Sequence, residues 1–297
     1  MARFLYVLLA IALFGVLIAI HEFGHFITAK LLGVKVNEFA IGMGPALWTK
    51  QRGETLYALR AFPVGGYCAM EGEDEDTGDP RAFARQAAWK KIIILCAGAF
   101  MNFVLGLAIT VALFLGVSQV RVPVITQFAG GFQHEGADGL MVGDRIVKVD
   151  GHGIWLYADV QTYLSRNDGQ GVDLVVERDG VRVSLKDFPM GRYDYEFEGN
   201  RNHGFGLIFG QVEELSIPER IGQGFAQTVD FVRMVWMSLG DLVTGRVAVS
   251  ELSGVIGVVD VVSEMGTQYQ TAAQSALAGV LGVLSMMALI AVNLAVM

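Results

Sequence analysis

Residues 4–32, 92–117 and 276–297 form three apolar runs, each long enough to cross a bilayer as a helix, and the second and third carry no charged side chain. In hydrocarbon every backbone N–H and C=O must find its partner within the protein, so such runs have almost no alternative to helix. The sequence therefore predicts a polytopic α-helical membrane protein with three spans. Composition agrees: 53% of residues are apolar and 18% charged, against about 45–50% and about 25% in soluble domains. A net charge of −8 offers no basic footprint for phosphate backbones, so nucleic acid is excluded as an expected partner. Arg3 ahead of an apolar run resembles a secretory signal, but apolar character resumes after residue 25 with no small-residue cleavage site, which favours a retained span. Cys68 and Cys96 are too few and too differently placed for a disulfide framework.

The linking segments set the orientation. Lys35, Lys50, Arg52, Arg60, Arg81, Arg85, Lys90 and Lys91 lie between the first two runs, and the positive-inside bias counts these cations and ignores the acidic patch at 71–79. Residues 33–91 are thus expected in the cytoplasm and 118–270 on the outer side. Within the outer stretch, 118–212 reads as a small β-rich domain. Asp179-Gly180 supplies the two-residue turn of a hairpin flanked by Leu174–Val176 and Val181–Leu185, further turns fall at Gly143-Asp144 and Asp150-Gly151, and a short helix is expected near 157–166. The connection 213–270 contains a helical spacing of Ile221, Phe225, Val232, Trp236 and Leu239, suited to lying on the membrane or the spans, or to packing on the outer domain. The third span is expected within 271–297.

The chemistry lies in the first run. His21-Glu22-Phe23-Gly24-His25 places two imidazoles at i and i+4, on one helical face, where they can converge on one metal ion, with Glu22 beside them to handle a proton. Zn2+ is the natural occupant: it takes neutral imidazoles and brings a bound water's pKa to about 7, where a carboxylate can take the proton and later give it to a leaving amine. Ionisable groups inside a span cost about 2.5–3.5 kcal/mol each, so three in five residues call for a compensating partner, and a metal supplies one. His134, His152 and His203 show no ligand spacing and read as surface residues.

That motif within a first span, followed by Gly33 to Pro45 and by Phe62-Pro-Val-Gly-Gly-Tyr67, resembles the site-2 protease family of intramembrane zinc metalloproteases, most closely the bacterial sigma-factor-regulating type with a PDZ domain. The resemblance covers essentially the whole chain. Ala97-Gly98-Ala-Phe-Met-Asn102 resembles the family's Ala-Gly-Pro-x-x-Asn segment, Gly139 to Gly151 its PDZ core, and Ser253 to Gly257 its Gly-Pro-Val-Gly segment, with Ala99 and Val255 standing where the family has proline. It implies His21 and His25 as zinc ligands, Glu22 as the catalytic base, and Gly42, Gly44 and Asn102 as substrate-binding positions. The region around Gly42, Gly44 and Pro45 would form a membrane-associated β-hairpin whose edge holds substrate as an added strand, exposing a peptide bond that a helix would hide. Asn102 shares a face with Gly98 and Gly106, which also suits close helix packing.

The resemblance implies a multi-pass protein of the bacterial inner (plasma) membrane, in contact with membrane lipid and acting in regulated intramembrane proteolysis on single-span proteins such as anti-sigma factors or signal-peptide remnants. The inserted PDZ-like domain would capture a peptide C-terminus or act as a size filter. The family's third zinc ligand is an aspartate following a run that Ser285 to Met297, including Asn293, resembles. No Asp or Glu lies between Glu264 and Met297, so the chain is expected to be a truncated member, inactive as it stands, with the missing ligand beyond Met297. Two other classes are weighed against this reading. A membrane-tethered PDZ binding protein would have no use for His21, Glu22 and His25, and a protease with a water-exposed catalytic domain would carry the motif outside the spans.

Overall fold

A computed structural model describes residues 2–167, 171–246 and 255–297. The chain divides into two compact units, one of residues 1–114 and 227–297 and one of residues 115–226.

In the first unit, α1 (Ala2–Leu31) is followed by β1 (Val36–Arg52), β2 (Thr55–Met70) and α2 (Ala88–Leu115). The helix α1 ends because Gly33 takes a positive φ of 81°, which lets Val34 N–H reach Ala29 O and Gly33 N–H reach Lys30 O, closing the last turn. Lys90 at the start of α2 donates to Leu32 O at 2.9 Å, tying the two helix ends together.

The hairpin β1–β2 is folded back on itself. Its turn, Gly53-Glu54, has Gly53 at φ 61°, as a two-residue hairpin turn with glycine in the first position requires. Both strands then bend, and residues 36–41 pair with 66–70 on one side and with 56–59 on the other, while 48–52 pair with 55–59. Two long strands thus make a sheet four rows wide. The bend falls at Gly42 and Gly44, with φ of 84° and 82°; a Cβ at either would collide with Phe62, its carbonyl oxygen at Gly42 and its ring at Gly44. One core joins the sheet to the helices: Phe26 and Ala29 of α1, Val36, Phe39, Cys68 and Met70 of the sheet, and Ile94 of α2.

The same unit contains much of α4 (Ile217–Val243), with α5 (Val255–Ala273) and α6 (Ala276–Val296). Tyr6, Ala10 and Leu17 of α1 pack with Val262 of α5 and Val283, Met287 and Ala291 of α6. Among the described residues three helices are long and apolar enough to cross a membrane: Arg3–Leu31, Ala88–Leu115 and Ala276–Val296. The third begins at Ala276, where its apolar run begins. Residues 271–273 complete α5, and Gln274 breaks the helix at φ 50°. In α4 (Ile217–Val243) Phe231 packs on Ala288 and Val292 of α6 with Val232 beside it, while Ile221, Phe225 and Trp236 are exposed. Ser253 and Gly254 lie outside the described residues, as do the side chains of Val255 and Ile256.

The second unit is β-rich. Its strands are β3 (Gln119–Arg121), β4 (Gln127–Phe128), β5 (Arg145–Val149), β6 (His152–Gly153), β7 (Val172–Arg178), β8 (Val181–Phe188), β9 (Tyr193–Phe197), β10 (Asn200–Gly204), β11 (Leu207–Ile208) and β12 (Val212–Glu214), and α3 (Tyr157–Arg166) lies between β6 and β7. An antiparallel sheet of order β6-β5-β7-β8 is its centre, and the pairs β9–β10, β4–β11 and β3–β12 complete it. The turns at Asp150-Gly151 and Asp179-Gly180 both take positive φ at both residues, as their sequences predict.

Asp144 is fully buried and accepts from Met141 N–H and from Arg178 Nε and Nη2, each at 2.8 Å, while Arg178 also donates to the carbonyls of Ala137 and Gly139. Removing the cation alone strands a buried carboxylate. Arg178→Met is therefore expected to destabilise this unit by about 3–5 kcal/mol. Hydrogen exchange at the β5 and β7 amides in the whole chain measures it, and wild-type protection would show the pair to be dispensable.

Candidate metal centre

The two histidines of α1 converge as their spacing requires. His21 Nε2 and His25 Nε2 are 3.1 Å apart, with ring planes at 81°. Two nitrogens of a tetrahedral zinc, with bonds of about 2.0–2.1 Å, sit about 3.3 Å apart, so the pair fits that ion with almost no rearrangement. Among the described residues no three His, Cys, Asp or Glu side chains are grouped to hold an ion, and His21 and His25 are a candidate pair.

The helix α2 approaches this pair through glycine. A Cβ on Gly24, inside the motif, would lie 2.4 Å from Ala97 O, so only glycine admits α2 this close. Gly98 faces the histidines: a Cβ there would fall 2.6 Å from His25 Nε2 and 2.7 Å from His21 Nε2. The missing side chain keeps open a space that touches both Nε2 atoms. His25 Nδ1 lies 2.8 Å from Ile94 O, and His21 Nδ1 lies 3.2 Å from Asn102 Nδ2. A ring whose Nδ1–H is held by a carbonyl presents its Nε2 lone pair, and His25 meets that condition.

Glu22 lies against the sheet beside the pair. Its Cγ would be 3.5 Å from a Cβ on Gly66, so the row 66–70 runs alongside the carboxylate. In that row burial, together with the Glu22 and Glu73 carboxylates, pushes the Cys68 thiol up to about 12. His21, His25 and Asn102 are thus brought together, with Glu22 beside them against the sheet. Gly42 and Gly44 sit at the bend of the hairpin, where their backbone shapes the sheet. His203 pairs with Asp194 and His152 stacks on Tyr163, both away from any ligand cluster. Sequence reasoning missed the Ile94 carbonyl, and nothing in the sequence could have signalled it, since every residue carries one.

Comparison with known proteins shows the family. The family model described as peptidase family M50 matches residues 9–297. A protein of Clostridium acetobutylicum with a provisional zinc-metalloprotease name is 32% identical over 259 residues, covering 87% of this chain and 74% of the relative. A Clostridium perfringens protein named in the same way is 33% identical, covering 82% of this chain and 70% of its own length. One from Nostoc is 30% identical over 309 residues, covering 98% and 80%. A family match of that extent, with relatives at these identities, places the chain in peptidase family M50, the site-2 protease family that its first-span motif resembles.

Proposed function

We propose that the chain is an intramembrane zinc metalloprotease acting on single-span membrane proteins, with His21 and His25 as metal ligands and Glu22 as the proton acceptor. The observation that carries this reading is the 3.1 Å approach of the two Nε2 atoms inside a membrane-spanning helix, over a helix that leaves room for an ion at Gly98. Bound there, zinc would supply Lewis acidity, polarising a peptide carbonyl and making a water acidic near neutral pH. The Glu22 carboxylate takes the proton of the attacking water and returns it to the leaving amine. Ile94 O fixes the His25 ring, and the sheet row 66–70 lies beside Glu22, where an unwound substrate segment could add as a further strand and hold its scissile bond extended. Gly42 and Gly44 serve that binding indirectly, by the bend that makes the sheet.

The second unit is read as a PDZ-like domain on the outer side of the plasma membrane, taking a peptide C-terminus by strand addition, and residues 33–91 as cytoplasmic. Single-cysteine labelling tests the orientation: a cysteine at position 75 should react only from the cytoplasmic side and one at 182 only from the outer side. The exposed Cys96 is first replaced by alanine, and the buried, high-pKa Cys68 stays silent in the background. Labelling of both from one side overturns the topology. The activity is tested, in a form extended to carry the expected third ligand, by cleavage of a reconstituted single-span substrate, which should stop on zinc chelation and return with zinc; chelator-resistant cleavage would refute the proposal.

A further inference from the structure

The face of the β1–β2 sheet turned away from the helices carries a polar network drawn from three of its rows. Phe39 and Cys68 enter the core with α1 and α2, so Glu38, Ala40, Ala58 and Tyr67 lie on the opposite face, and Arg60, two residues past Ala58, joins them. Arg60 donates through Nη1 to Gly44 O at 2.8 Å, and through Nη2 to Glu38 Oε1 at 2.6 Å and to the Tyr67 hydroxyl. Its guanidinium also lies over the Tyr67 ring, 5.2 Å from the centroid, and the Tyr67 hydroxyl bonds Glu38 in turn. Row 36–41 separates the row of Arg60 from row 66–70, so the side chain reaches across two strand spacings, about 9–10 Å, past the small Ala40.

That reach ends at the candidate site. Tyr67 stands between Gly66, where a Cβ would lie 3.5 Å from Glu22 Cγ, and Cys68, whose N–H bonds the Glu22 carboxylate. Along a strand the backbone groups of alternate residues point to the same edge, so Gly66, Cys68 and Met70 turn theirs away from row 36–41; Met70 N–H accordingly reaches Glu73 at 3.3 Å. Glu22 therefore meets the outer edge of row 66–70, the edge on which a further strand would add. Stability does not account for the network. Arg60 Nε is buried without a partner, which is a net cost, and a buried ion pair is seldom the most stabilising filling for its space.

We propose that Arg60 is a positioning residue for substrate: by holding Tyr67 and Glu38 to the bend at Gly44, it sets the outer edge of row 66–70 in the place where an added substrate strand lies beside Glu22. The inference rests on the reading of this sheet as the substrate's strand partner. Lysine at position 60 keeps the charge for Glu38 but lacks the planar fork that serves three partners. Phenylalanine at position 67 keeps the ring and loses the hydroxyl.

The test measures, by fluorescence anisotropy, the binding of a labelled single-span peptide with a glycine-containing, readily unwound centre to the whole chain in lipid nanodiscs, for wild type, Arg60→Lys, Tyr67→Phe and the double variant. Each single substitution should weaken binding roughly tenfold, and the double variant should be no worse than the worse single, since both remove one interaction. Hydrogen-exchange protection in rows 36–41 and 56–59 should stay at the wild-type level, a separation that a merely structural role would not give. Wild-type affinity in both single variants, multiplied losses in the double variant, or protection lost across the sheet together with affinity overturns the proposal. Should Arg60→Lys not fold, Tyr67→Phe decides alone. A second peptide, N-methylated along its centre and so unable to pair as a strand, should bind wild type at least roughly tenfold more weakly. Equal binding of the two peptides would instead overturn the strand-addition reading beneath the proposal.

Discussion

Glu22→Gln is expected to leave zinc bound and to slow cleavage by roughly 10^2–10^4-fold, the usual contribution of a positioned general base. The carboxamide has nearly the same shape and keeps its place against the sheet at Gly66, but it cannot take a proton. The two imidazoles are untouched, so metal content separates this variant from one that has lost its site. Cleavage at the wild-type rate would remove Glu22 from the mechanism. Zinc loss in parallel with activity would make it a ligand.

Gly98→Ala is expected to have an effect of similar size by a different route. The added methyl would fall 2.6 and 2.7 Å from the two Nε2 atoms, inside any contact that real carbon atoms make, and it would occupy the space between ligands and α2. Relief would require moving a histidine or separating the helices where Gly24 already touches Ala97 O. Zinc affinity should fall at least roughly tenfold, as for lost support of a metal ligand, with cleavage falling in step. Gly222→Ala serves as the control. That helical glycine has open space around it, and alanine should be neutral or stabilising by about 0.5–1 kcal/mol. Normal zinc binding and cleavage in Gly98→Ala would mean that the metal sits elsewhere.

What could be read from the sequence was what local periodicity encodes. Helical spacing put His21 and His25 on one face, apolar length gave the three long helices, and Asp179-Gly180 and the 157–166 helix were legible because turn chemistry and helix period are short-range. The features that organise the site are longer-range. The doubling of β1–β2 into four rows depends on residues 36–41 pairing on both edges, and alternation along one strand cannot show this. The role of Gly98 looked like helix packing, since small residues spaced by four serve that purpose at Gly106, which lies against Val292 and Ala288. The Phe231 face of α4 was hidden because burying Asp230 beside it runs against a hydrophobic pattern, and Arg233 makes that possible by pairing with the carboxylate at 2.5 Å. Asp144 fell in a recognisable turn, but its ion pair with Arg178, 34 residues away, has no local signature.

The central claim is that a zinc ion held by His21 and His25 within the first membrane-spanning helix performs the chemistry of this chain. X-ray absorption at the zinc edge of the purified, zinc-loaded protein tests it most directly when wild type is measured beside His21→Ala and His25→Ala. The predicted result is a wild-type spectrum with two imidazole nitrogens at about 2.0–2.1 Å, and loss of the bound zinc in either variant. A wild-type spectrum without imidazole scattering, or zinc retained in both variants, would contradict the account.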